Sequence, residues 1–369
     1  MKVAFFLTDL TKKGGVERAT INLLNGLFTE VDLSLICLWG DKSTAAFPLA
    51  SEVHVHSLYI KNYRKEYLSI VIGLDKHIRE QGIDILVTVE TMALIFTLPR
   101  VFIPGRRHVK NVVWEHFNFL NDNGSRLRRF MRRVASYVCD MIITLTERDR
   151  DLWIRELNVR KDKIDYIYNV CLYQNNVNID YDSKSKIAIA IGRYSPVKGF
   201  DRLINAWVLY ERVFGINRGW ELQIVGYGDE KIKLAEIIKE SGSETIYLVD
   251  GLNSSIEEKY QKAAFVCMTS HFEGLPMTLI EAQCFGLPSI AFDIFSGPSE
   301  IINADSGILV KDNDINTYAA SMNLLMKDDD LRVEMSMNAF LQSKRFNKID
   351  ICKLWAEKLK KLSVGKKEI

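Results

Sequence analysis

The sequence predicts an α/β protein made of two doubly wound parallel-sheet domains. Three observations carry that reading. Short apolar runs alternate with longer amphipathic stretches almost throughout, as strands buried on both faces alternate with covering helices. The series is interrupted once, by a polar stretch at 169–186. The 369 residues, 47% of them apolar, suit two cores better than one overgrown core.

In chain order, the runs KVAFFL, DLSLIC, DILVTV, VKNVVW and MIITL read as the strands of a first domain over residues 1–172. Asn169 to Lys186 offers little to bury and reads as the interdomain linker. KIAIAIG, WELQIVG, TIYLVDG, AAFVCMT, LPSIAFD and GILV then supply a second sheet over 187–345. The tail at 346–369 contains ICKLWAEKLKKL, apolar at helical spacing, and is expected to pack as a final helix, returning to the first domain.

Composition narrows the classes. No run approaches the roughly 18 apolar residues of a membrane span, and the opening MKVAFFL is too short for a secretory core, so it reads as a strand. Six cysteines lie scattered in apolar runs without a Cys-x-x-Cys, which fits buried thiols in a reducing cytoplasm. The net charge of +2 conceals an uneven spread, with the positive excess concentrated in GSRLRRFMRRVAS.

Ligands of open parallel sheets bind beyond the carboxyl ends of the strands, so four loops are candidates. In TDLTKKGGVERAT, Gly14 and Gly15 let backbone approach an anion at a helix start, or simply make a tight turn, with Glu17 complementing the helix end. In WEHFN, His116 follows a strand where a cleft-facing side chain would emerge, with Glu115 as its rival or as a solvated neighbour. In GRYSPVKGF, Arg193 and Lys198 bracket a turn ahead of a helix, a planar fork and a mobile point charge suited to a diphosphate. In SHFEGLPMTLIEAQCFGLP, Glu273 precedes a helix introduced by Pro276, while Glu281 lies about a turn and a half inside it and is expected to reach the same opening. His271 lies in the same loop, and Gly286 and Pro288 mark the stop.

Together, GGVER, the His of WEHF, GRYSPVKG, the Gly-x-Gly of VGYGDE and EGLPMTLIE followed by GLP resemble family 4 of the retaining glycosyltransferases, in this order and from residue 14 to 288. The run FDIFSGPSEII further resembles bacterial members that build surface polysaccharide, O-antigen or capsule. The resemblance implies a GT-B fold and a UDP-sugar donor, with a hexose or N-acetylhexosamine passed to a lipid-linked oligosaccharide acceptor. It implies that Arg193 and Lys198 bind the donor diphosphate, with no metal and no cofactor. Glu273 would hold the transferred sugar with the backbone of Gly274, Leu275, Pro276 and Met277, and Glu281 would grip the ribose. His116 would touch the sugar, Gly15 would admit the phosphates, and Gly226 and Gly228 would line a nucleotide pocket whose base meets backbone near Leu252. Ser299 and Glu300 would face the cleft, or Ser299 would cap a helix.

Two Asp-x-Asp triplets, Asp149-Arg150-Asp151 and Asp312-Asn313-Asp314, read as surface and capping residues rather than metal ligands. Arg126, Arg129 and Arg133 share a helical face, with Arg128 and Arg132 beside it. Such a helix can lie on an anionic membrane surface, placing the enzyme at the inner face of the cytoplasmic membrane. The alternative is a plain solvated helix. No aromatic platform accompanies the charges, which argues against nucleic acid. Two rival readings keep the same residues: a nucleotide-sugar epimerase or hydrolase, and a non-catalytic nucleotide-sugar-binding scaffold.

Overall fold

The computed structural model describes residues 1–102, 108–122, 124–173, 181–215, 219–252 and 255–364. The chain divides into two compact units, Met1–Val170 together with the segment from Phe346 onward, and Cys171–Arg345.

Unit 1 is a seven-stranded sheet whose strand pairs are all parallel. Its elements run β1 (Lys2–Asp9), α1 (Gly15–Leu27), β2 (Asp32–Trp39), β3 (His54–Ser57), α2 (Tyr67–Gln81), β4 (Ile85–Val89), α3 (Leu94–Thr97), β5 (Lys110–Trp114), α4 (Arg126–Val138), β6 (Met141–Thr144), α5 (Glu147–Leu157) and β7 (Ile164–Tyr166). The spatial order β3-β2-β1-β4-β5-β6-β7 reverses direction at β1 and β4, the topological switch point at which ligands gather. Val3 to Phe6 and Ile85 to Val87 are fully buried because helices cover both faces, hence the unbroken apolar runs. The edge strands β3 and β7 were not anticipated. HVHS and IDY are short and half polar, as edges are, and carry no apolar run to announce them.

Unit 2 has six strands, β8 (Ile187–Ile191), β9 (Glu221–Gly226), β10 (Ile246–Asp250), β11 (Phe265–Met268), β12 (Ser289–Asp293) and β13 (Gly307–Lys311), in the order β10-β9-β8-β11-β12-β13. Its helices are α6 (Phe200–Phe214), α7 (Lys231–Ser241), α8 (Ile256–Lys262), α9 (Met277–Cys284), α10 (Pro298–Ile301), α11 (Ile315–Lys327) and α12 (Asp329–Ser343). The final helix α13 (Lys348–Val364) belongs to unit 1. Its Trp355 is fully buried, with its ring 5.8 Å from Phe5 and 5.1 Å from Trp114, and Lys358 pairs with Asp165.

The polar stretch at 169–186 needs a correction. Asn169, Val170 and Cys171 are buried, and Cys171 Sγ lies 2.8 Å from Cys284 Sγ. Residues 174–180 of this stretch lie outside the described residues. All six cysteines are buried free thiols.

Candidate active site

In unit 2 the loops after β8 and β11 meet. Pro196–Lys198 forms one 3₁₀ turn, closed by Gly199 in the left-handed region at φ 59. A Cβ at Gly199 would stand 2.3 Å from the Thr269 carbonyl, so only glycine lets the two loops touch. Thr269 Oγ1 donates to the Gly199 carbonyl at 2.8 Å, and His271 N–H donates to the Val197 carbonyl at 2.8 Å. Arg202, buried on α6, donates to the carbonyls of Thr269 and Ser270 and to Asp312 Oδ1 and Asn313 Oδ1. From α6, one guanidinium fork thereby ties the loop after β11 to the turn after β13. Sequence reading missed Arg202, because an arginine in a helix pattern carries no sign that it turns inward.

This bracing brings Lys198 Nζ to 2.7 Å from Glu273 Oε1. Arg193 is exposed, and a Cβ at Gly228 would stand 3.1 Å from its Cγ. Gly228 itself sits at φ +145. α9 begins at Met277 with Pro276 as its cap residue, which has no side chain to accept the first N–H groups. Its positive end therefore opens just beyond Glu273 and Lys198, where an anion is favoured. Leu275 and Pro276 are buried, while Gly274 and Met277 are half-buried; His271 is exposed. Gly286, at φ 65, follows the helix end as its spacing implied.

Four expectations change. Glu281 does not reach the opening: it is 2% exposed, and its Oε2 accepts from Tyr260 Oη at 3.0 Å. Gly226 serves strand packing, since a Cβ there would lie 1.9 Å from the Gly192 carbonyl and the neighbouring Gly251 leaves no more room. The Leu252 N–H is already given to Asp250 Oδ1 at 2.8 Å, and its side chain is 57% exposed. Ser299 is not a cap; Gly297 precedes α10, Pro298 opens it, and Ser299 and Glu300 are half-buried within it.

In unit 1, Gly15 opens α1, and a Cβ there would meet nothing within 4 Å, so its backbone faces open space. His116 lies just past β5 but is only 8% exposed, packed on Trp114 at 4.2 Å, rather than projecting outward. Its Nε2 has no hydrogen-bond partner, and burial pushes its pKa down to about 3. Glu115, read as a rival of His116 or as a solvated neighbour, is not solvated: it is 1% exposed and accepts from Thr91 Oγ1 and from the Phe117 N–H. Arg128 and Arg132 of α4 lie 3.6 Å from its two oxygens. Both arginines are therefore interior residues, not flanking surface charges, whereas Arg126, Arg129 and Arg133 are exposed. Nearby Glu90 takes φ 68 at the end of β4, and its carboxyl is raised to about 7 by burial and by the charge of Glu115.

The Asp-x-Asp triplets also divide. Asp149 is buried, 3% exposed, with Oδ1 accepting the Phe119 N–H at 2.6 Å, and burial raises it to about 7; Asp151 pairs with Arg150. Asp312 binds Arg202, and Asp314 caps α11 by accepting the Thr317 N–H. Among the described residues no cluster of three or more His, Cys, Asp or Glu is placed to hold a metal, and no helix is long and apolar enough to cross a membrane.

His116 gives unit 1 a pH dependence of defined sign. The unfolded chain takes up a proton near the ordinary 6.5, whereas the folded ring resists it down to about 3. Its contribution is therefore complete above 6.5 and is lost as pH falls through that window. Glu90 and Asp149 act oppositely, favouring the folded state as pH falls from 7. His116→Gln should lose less stability than the unsubstituted protein between about pH 7 and about pH 5. Urea midpoints at the two pH values check this, and an equal loss in both proteins would contradict it.

The family described as Glycosyltransferase Family 4 matches residues 13–170, and Glycosyl transferases group 1 matches residues 175–342. The chain belongs to the family 4 glycosyltransferases. A glycosyltransferase of Haemophilus influenzae is 28% identical over 359 residues, covering 96% of this chain and 98% of that one. The amylovoran biosynthesis glycosyltransferase AmsD of Erwinia amylovora is 26% identical, covering 96% and 98%. A Campylobacter jejuni α-1,4-N-acetyl-D-galactosaminyltransferase, named for a diphospho-undecaprenol-linked acceptor, is 25% identical, covering 96% and 97%. Among solved structures, Anabaena HepE in complex with UDP superposes with a TM-score of 0.79 at 19% identity, covering 98% and 100%. This likeness establishes the GT-B fold of the glycosyltransferase.

Proposed function

We propose that this glycosyltransferase moves a hexose or N-acetylhexosamine from a UDP-sugar onto a lipid-linked oligosaccharide, with retention of configuration, in bacterial surface polysaccharide assembly. The observation that carries the proposal is the Lys198–Glu273 pair, 2.7 Å apart at the uncapped start of α9. A diphosphate placed there meets an ammonium and the helix N–H groups that no side chain caps, with the exposed Arg193, from the same loop as Lys198, available to reach it. Donors of this kind stabilise the charge that develops on the leaving group, so Lys198 and Arg193 together take over the neutralising task of a divalent ion. Glu273 then stands where sugar hydroxyls can donate to it.

Glu273 is committed to Lys198, so we read the transfer as front-face rather than through a covalent glycosyl-enzyme. The bond from the anomeric carbon to the β-phosphate oxygen breaks, the acceptor oxygen bonds to the same face, and the departing phosphate takes the acceptor's proton. The amylovoran and undecaprenol-linked names of the relatives support the polysaccharide and lipid-linked assignment, and the UDP held by HepE supports the donor class.

Incubation with a panel of UDP- and GDP-sugars tests the reading. One UDP-sugar should be slowly hydrolysed without acceptor, and transferred faster with extracted lipid-linked saccharide, giving an α-linked product from an α-donor whether or not chelator is present. Turnover confined to GDP-sugars, or epimerised sugar as the product, would sink it.

The proposed site of action is the inner face of the cytoplasmic membrane. α4 exposes Arg126, Arg129 and Arg133 beside Leu127 (42% exposed) and Phe130 (60%), an amphipathic basic face. At about 1 kcal/mol per basic residue near anionic headgroups, changing the three to Glu should abolish co-sedimentation with phosphatidylglycerol vesicles. Unchanged sedimentation would remove the membrane from the proposal.

A further inference from the structure

We infer that a cavity at the carboxyl ends of β1 and β2 is a saccharide subsite, taking one hexopyranose unit of the acceptor against Trp39 and Tyr59. The inference rests on the transferase reading and specifies where in unit 1 the acceptor glycan is held.

The cavity has a volume of about 620 Å³ and is lined by Asp9, Lys12, Trp39, Asp41, Thr44 and Tyr59, among others. That size lies within the range of small-molecule sites. Asp9 and Trp39 are register partners at the ends of adjacent strands, so the lining begins at the carboxyl ends of β1 and β2, beside the switch point rather than at it. Two aromatic rings remain accessible there: Trp39 is half-buried, with Tyr63 edge-on at 6.2 Å, and Tyr59 is 68% exposed.

Tyr59 sits at φ 48, in the left-handed region where a bulky side chain is rare. Such strain persists where surrounding structure imposes it, and it clusters at binding sites. Here the Tyr59 N–H donates to Ser57 Oγ at 3.3 Å, and its hydroxyl donates to Asp41 Oδ2 at 3.5 Å. Asp41 is itself held by donors from Ser43 and Thr44, which keep its carboxyl below the usual range and therefore ionised.

The chemistry selects the ligand class. Aromatic faces beside carboxylates suit a pyranose, whose C–H face packs on a ring while its hydroxyls donate to Asp41 and Asp9. A phosphate or nucleotide is disfavoured, because two carboxylates face the space and Lys12 is already paired with Asp9 at 3.5 Å. An acyl chain is disfavoured by the same charges.

The test is saturation-transfer NMR on the full chain with maltose, lactose and methyl α-N-acetylgalactosaminide, each in the presence of saturating UDP. At least one sugar should show transfer to its ring C–H protons. Tyr59→Asn, which tolerates the left-handed backbone, and Trp39→Ala should each weaken its binding tenfold or more. Tyr59 is exposed, so the Asn variant decides the matter even if Trp39→Ala fails to fold. The UDP resonances in the same tube report the donor site separately. UDP signal without sugar signal, or sugar binding unchanged in Tyr59→Asn, overturns the subsite alone, whereas absent UDP signal overturns the donor reading.

Discussion

Lys198→Ala is expected to lower turnover of the UDP-sugar by about a hundredfold, the scale of losing one preorganised donor to a developing negative charge. The stability cost should be small by comparison. The Lys198 and Glu273 side chains are 24% and 13% exposed, so their mutual attraction is partly screened and belongs with pairs worth about 1 kcal/mol or less. That split between activity and stability is the diagnostic. Arg193→Ala should fall in the same range of turnover, because its side chain is exposed and free to wrap a diphosphate rather than committed to the fold. Rates with saturating donor, read beside thermal unfolding midpoints, give both quantities. Near-normal turnover by purified Lys198→Ala would end the diphosphate assignment, and a large drop in midpoint would make Lys198 a structural residue.

The largest stability effect is expected at Arg132, which sequence periodicity alone would place beside a basic surface stripe. Arg132 is 1% exposed, donating to the carbonyls of Phe119 at 2.5 Å, Asn118 at 2.9 Å and Asn121 at 3.2 Å, with Nε 3.6 Å from Glu115 Oε2. Its removal takes the guanidinium from the carbonyls of Phe117, Phe119 and Asn121 and from that of Asn118, which keeps the Asn121 N–H, and it leaves Glu115 with Arg128 as its one remaining cation within 4 Å among the described residues. Breaking a buried ion pair from one side costs about 3–5 kcal/mol, because the surviving charge stays out of water. Arg132→Ala should therefore destabilise unit 1 by that amount. Arg132→Lys should recover only part of it, since an ammonium cannot span the same fan of acceptors. Urea unfolding followed by tryptophan fluorescence measures both, and a loss under about 1 kcal/mol for the alanine variant would refute the argument.

Arg126, Arg129 and Arg133 on the same helix behave in the opposite way. They are exposed, so changing them should leave the fold intact and alter what the surface attracts. Five arginines within eight residues thus split into two populations with separate tasks, and only packing tells them apart.

Much of the architecture was legible in the chain. All six strands of unit 2 and five of the seven in unit 1 announce themselves as mainly apolar runs, because most of them are covered on both faces. The two missed strands, β3 and β7, are edges of only four and three residues, too short to show an apolar run, whereas the edges β10 and β13 are five residues long and mostly apolar. The punctuation of α9 was equally readable. Pro276 before it and Gly286 after it act through local backbone geometry, which needs no partner from elsewhere in the chain.

What the sequence determined by itself, then, was whatever depends on local rules: the alternation of strands and helices, the strand-end loops, and the placing of Lys198 and Glu273 in two such loops. What only the tertiary structure decided was the fate of each charge. Glu281, Glu115, Asp149, Arg128, Arg132 and Arg202 all turn inward. A charged residue enters a protein interior only where partners from distant segments compensate for its lost water. Those partners, such as Tyr260 for Glu281 or the Phe119 N–H for Asp149, meet through the fold and not through spacing.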